Sequence, residues 1–153
     1  MDLVSCFLPP HETMYMQIAD RFSQLTDDQM RLRPHPQLNS IAWLLWHMAR
    51  SEDMGINRLI ANRPDVLTGD GWASRLDLSR RDMGTGMNDD EVVEFSTRVN
   101  PVALRAYSGA VGRRTQEVVR GLPAEAWDDV PDPSHIHRVL VEEEVMGPNA
   151  GWV

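Results

Sequence analysis

The chain has 153 residues, 42% apolar and 25% charged, the balance of an ordinary globular protein with length enough for one domain and its own core. Its net charge of −8 argues against a binder of nucleic acid or of an anionic membrane surface, because both need basic patches. All 15 basic residues are Arg, so Schiff-base, P-loop and kinase lysine chemistry are excluded, and the single Cys6 rules out an internal disulfide or a multi-thiolate zinc site.

The elements predicted along the chain are helices joined by loops of uneven length. A first helix is expected after Pro9 and Pro10, with Met14, Ile18, Phe22 and Leu25 as its apolar stripe. Thr26 and Gln29 have the spacing of a capping box over a short turn, and Pro34 and Pro36 force an extended connection. A second long helix opens at Asn39 or Ser40 and stops at Pro64. Ile41, Leu44, Leu45, Met48, Gly55 and Leu59 form its main face, with Trp43, Trp46 and Met54 on other sides, so it reads as a central element. Residues 64–88 read as a long loop with a short turn at Trp72, followed by a short helix capped by Asn88 and Glu91. Asn100–Pro101 opens a third long helix striped by Leu104, Tyr107, Val111, Val118 and Leu122 and ended by Gly121 and Pro123. For residues 131–153 a docked helix from Ser134 to Met146 stands level with irregular chain. The longest apolar run, from Ile41 to Trp46, is too short to span a membrane, no secretory leader is visible, and a cytoplasmic protein is expected.

Among residues that can carry chemistry, His47 comes first. It lies about 60° from Leu44 on the shoulder of an apolar helix, where imidazole serves as a metal ligand or general base. Its plain alternative is a half-buried histidine satisfied by a carbonyl or water. Glu52 falls within the apolar arc and needs a partner, for which Arg114 is the candidate and an ion pair the expected role. His135 and His137, two apart, cannot share one metal from a helix and read as solvent-facing. Glu142, Glu143 and Glu144 read as a solvated run, with Glu143 close to the tail's apolar face and Arg114 or Arg58 as its partner. Cys6 reads as a small apolar residue rather than a nucleophile.

The stretch Leu38-Asn39-Ser40-Ile41-Ala42-Trp43-Leu44-Leu45-Trp46-His47-Met48-Ala49-Arg50-Ser51-Glu52-Asp53 resembles the DinB/YfiT-like superfamily of small helical proteins. The segments from Leu25 to Met30, Arg33-Pro34, Asn57 to Ile60 and Leu122 to Glu125 resemble it too, so the likeness runs from about Met14 to Trp127. The resemblance implies an all-α fold, a four-helix bundle holding a divalent metal (zinc, nickel or iron) with three histidines. His47 matches the ligand on the second helix. The other two would come from a His-x-x-x-His pair on the last helix, which this sequence lacks. The last helix therefore reads as missing or truncated, truncation being favoured over loss of the site.

The activity implied by the resemblance is thiol-dependent transfer or isomerisation, with a low-molecular-weight thiol such as bacillithiol or mycothiol. The alternative is a non-catalytic dimerising or metal-binding stress protein. Three imidazoles hold zinc or nickel, whereas one does not, so no stoichiometric metal is expected on this chain. Three long helices leave apolar surface uncovered, and a symmetric homodimer with Trp and Met residues in its interface is expected.

Overall fold

The computed structural model describes residues 2–147 and 149–151, and among these all regular structure is helical. The longest helices are α1 (Leu3–Ser23), α3 (Ile41–Asp53) and α7 (Pro101–Gly121), and α7 packs along both of the others. Shorter helices fill the connections: α2 (Asp27–Arg31), α4 (Val66–Gly69), α5 (Trp72–Leu76), α6 (Asp89–Arg98) and α8 (Pro133–His137). A 3₁₀ turn covers Ala124–Trp127. No described helix is long and apolar enough to cross a membrane.

Local signals set most helix starts. Thr26 and Gln29 form the expected capping box over α2, and Asn88 and Glu91 form another over α6. Asn100 accepts from the Val102 and Ala103 amides at the head of α7, with Pro101 as its first residue. Ser40 caps α3 through the Trp43 amide (3.1 Å), and its hydroxyl also meets that of Ser96 (2.7 Å).

The first helix corrects the sequence reading. It begins at Leu3 and runs through Pro9 and Pro10. Two prolines remove the amides that would bond the carbonyls of Ser5 and Cys6. Both residues are exposed, so water can serve those carbonyls. Cys6 is accordingly an exposed surface residue. Met14 also points outward, and the inward positions of α1 are His11, Tyr15, Ile18 and Phe22.

The second long helix changes form partway. Beyond Asp53 it widens into a π-helical segment, Met54–Ile60, and it ends short of Pro64, with Asn62 in the left-handed region (φ 48°). Its buried face also differs from the expectation. Leu44 and Met48 are exposed, while Ala42, Leu45, Trp46, Ala49, Arg50 and Asp53 are buried. Trp46 sits in the core against Phe95 and Tyr107 (ring centroids 5.7 and 6.0 Å) and is unavailable to an interface.

The tail is shorter in its helical part than a helix from Ser134 to Met146. After α8 the chain makes a π-helical turn, Arg138–Glu142. It docks through Val139 and Val145, which bury against Met54 in a small second cluster. Arg58 pairs with Glu143 (2.5 Å), one of the two partners expected for that carboxylate. The end of the described chain passes over Gly86 so closely that a Cβ there would lie 2.6 Å from the Ala150 nitrogen.

Candidate functional site

His47 projects from α3 toward the segment between α5 and α6. Its ring stacks on Trp43, one turn earlier, with centroids 5.0 Å apart and planes 9° from parallel. Its Nδ1 lies 2.8 Å from the Met83 carbonyl. A carbonyl only accepts, so Nδ1 carries the proton and Nε2 keeps the lone pair in the neutral ring. The segment is held in turn by the Met83 amide donating to the Val145 carbonyl (2.9 Å) and by Trp43 Nε1–H donating to Met87 Sδ (2.9 Å). The half-buried position satisfied by a carbonyl, which the sequence allowed, thus describes one nitrogen of His47, and the other stays open.

Glu52, five residues on, is not paired with Arg114. Arg114 reaches Asp70 (3.8 Å) and Glu117 (3.4 Å) instead. Glu52 accepts from Tyr15 (2.8 Å), from Thr115 on α7 (2.5 Å) and from His11 Nε2 (2.9 Å). Burial, followed by the charge of Glu52, pushes the Tyr15 phenol far above its ordinary value, so it remains a donor. Sequence reasoning missed His11 and Tyr15 because it began the inward stripe of α1 at Met14, which is exposed, rather than carrying it back from Ile18 through Tyr15 to His11. The signal was present in the four-residue spacing of the two rings.

A second polar group absent from the sequence reading lies deeper. Arg50 is 1% exposed and donates to Asp53 (3.1 Å), Asp65 (3.2 Å) and the Arg81 carbonyl (2.5 Å). Asp53 also accepts from Tyr107 (2.7 Å), Asn57 (2.8 Å) and the amides of Val66 and Leu67 (2.9 and 3.1 Å). These bonds tie residues 62–82 onto α3, and every charge in the group has an opposite partner.

The sequence model of the DinB superfamily matches residues 11–145, most of the chain. The chain belongs to the DinB superfamily. Comparison with curated proteins gives no match.

Does the donor set fit the three-histidine metal site that the DinB resemblance implied? Each remaining histidine is engaged locally. His11 is bound to Glu52, His35 accepts from the Gln37 amide, and His137 lies 3.6 Å from Glu142. His135 is half-buried rather than solvent-facing, with Nε2 2.8 Å from the Arg58 carbonyl. Among the described residues no three His, Cys, Asp or Glu side chains converge. That arrangement of the described residues does not fit a three-histidine site.

Proposed function

We propose that this DinB-superfamily chain is a thiol-dependent transferase or isomerase in which His47 Nε2 meets the thiol. The observation that supports this is the fixed tautomer: the Met83 carbonyl holds the proton on Nδ1, and stacking on Trp43 holds the ring. In this reading Nε2 takes the proton of a low-molecular-weight thiol. The S–H bond breaks, an N–H bond forms, and the thiolate attacks a carbon electrophile. The imidazolium then returns its proton to the departing group or to the carbanion. No step is assigned to a metal, because one imidazole does not hold one.

The test is a transfer assay with bacillithiol or mycothiol and 1-chloro-2,4-dinitrobenzene. Replacing His47 by Asn should lower the rate by about 100-fold, the lower range for removing a general base. Equal rates in both proteins would overturn the reading.

A second reading, a non-catalytic dimer, is favoured by a different observation. His11 is the one buried residue of α1, and an apolar groove of about 730 Å³ runs between α1 and α7 past Met16 and Val102. A second copy seated on this groove would have to extend well beyond it to reach the roughly 1,000 Å² that a specific interface needs. A monomer in sedimentation at tens of micromolar rules this reading out, and a dimer whose His47→Asn variant keeps the full thiol-transfer rate supports it.

A further inference from the structure

A different crevice, of about 770 Å³, opens between α1, the π-helical segment and α7. Its size lies within the roughly 300–1,000 Å³ of small-molecule sites. The walls are apolar, built by residues such as Ile56, Leu59 and Val118, and the 3₁₀ turn closes one end through Trp127. Phe7 stacks on His11 (5.2 Å) and meets the edge of Trp127 (6.4 Å), so one wall is a row of rings. His47 is not among its lining residues.

The polar groups in this lining include His11, Glu52 and Thr115. The Glu52 carboxylate accepts from His11 Nε2, so the proton of the neutral imidazole sits on Nε2 and the lone pair on Nδ1. That Nδ1 is buried and has no hydrogen-bond partner, and the His11 residue is 8% exposed. Native proteins seldom leave a buried acceptor in that condition, and a water, an ion or a ligand is what can supply the missing donor. No Arg lines the crevice, whereas Glu52 and Asp129 do. The charge there opposes carboxylates and phosphates and leaves room for a neutral molecule.

We propose that this crevice binds a neutral aromatic molecule with one hydroxyl, a phenol-type ligand, whose O–H donates to His11 Nδ1. The rings of Phe7 and Trp127 give the aromatic body its surface. Glu52, already holding Nε2–H, orients the imidazole and makes Nδ1 the stronger acceptor. The proposal does not rest on the thiol reading.

The experiment uses the full chain and three test ligands, 2-naphthol, 2-methoxynaphthalene and 2-naphthoate, titrated by calorimetry. The hydroxyl compound is expected to bind about tenfold more tightly than its methyl ether, the worth of one hydrogen bond, and naphthoate more weakly still. Gly55 lines the crevice and has nothing within 4 Å of a built Cβ, so Gly55→Leu has room for its Cβ and places the rest of its side chain at the crevice. It should weaken 2-naphthol by about tenfold or more while melting at or above the wild-type temperature. His47→Asn should leave 2-naphthol binding unchanged. Equal binding of 2-naphthol and its ether, or binding indifferent to Gly55→Leu, would overturn the proposal. The second result would place the ligand elsewhere, as in the groove between α1 and α7.

Discussion

Glu52 shows how much one side chain can hold when three helices converge on it. It satisfies donors on α1 and α7 from its place on α3. Glu52→Ala leaves His11, Tyr15 and Thr115 without their acceptor, and an unmade hydrogen bond of this kind costs about 1–3 kcal/mol. Its side chain is 19% exposed, so water recovers part of that. A net loss of about 2–3 kcal/mol is expected, read as a fall of roughly 5–10 °C in melting temperature. A fall of under about 2 °C would show that the three bonds add nothing. Arg50 should matter more. Arg50→Met removes the cation from two buried carboxylates, Asp53 and Asp65, and a loss of about 3–5 kcal/mol is expected in urea unfolding at neutral pH. A loss below about 1 kcal/mol would contradict the network's role. At this scale His47's carbonyl partner and the Arg58–Glu143 pair were legible, because each follows from a face and a charge. The partners of Glu52 were not, because they depend on how α1 passes α3.

At the scale of the element, the capping boxes and the Asn100–Pro101 start were legible because each is a local bond between residues three or fewer apart. The buried face of α3 was not. It is built from Ala42, Ala49, Arg50 and Asp53 as much as from Leu45 and Trp46, and hydropathy ranks a paired Arg or a small Ala below an exposed Leu44. The start of α1 was hidden by a rule that usually holds, that prolines stop helices. Pro10→Ala tests it. With the helix running through, restoring the amide should stabilise the protein by about 1–3 kcal/mol. If the helix began after Pro10 instead, the proline would favour its first turn and the substitution would be neutral or destabilising. Gly112 makes a second test on α7. A Cβ there would lie 2.7 Å from the Tyr15 ring. Gly112→Ala should therefore destabilise despite its better helix propensity, whereas Gly121, with open space around it, should tolerate the same change.

For the whole molecule, the lack of lysine gives an unusually clean alkaline transition. The chain's two tyrosines, Tyr15 and Tyr107, are both pushed above their ordinary value of 10.0, each by burial first. A raised value means that the folded state binds more protons than the unfolded one, so their stabilisation is full below about pH 10 and is lost as pH rises. The slope should approach about 2.7 kcal/mol per pH unit once both unfolded phenols ionise. Phenolate absorbance should then appear together with the loss of helical circular dichroism, and phenolate forming near pH 10 in an intact fold would contradict it.

The superfamily assignment was legible from the stretch around His47, and the all-helical fold followed from it. The activity is less fixed by the fold, because function lies in the site, and among the described residues no three metal-ligating side chains converge as the resemblance implied. The most direct measurement is the thiol-transfer rate of wild-type protein before and after exhaustive chelation, with His47→Asn beside it. The account predicts that chelation leaves the wild-type rate in place and that the substitution lowers it by about 100-fold. A rate abolished by chelation and restored by zinc, or one indifferent to His47, would contradict it.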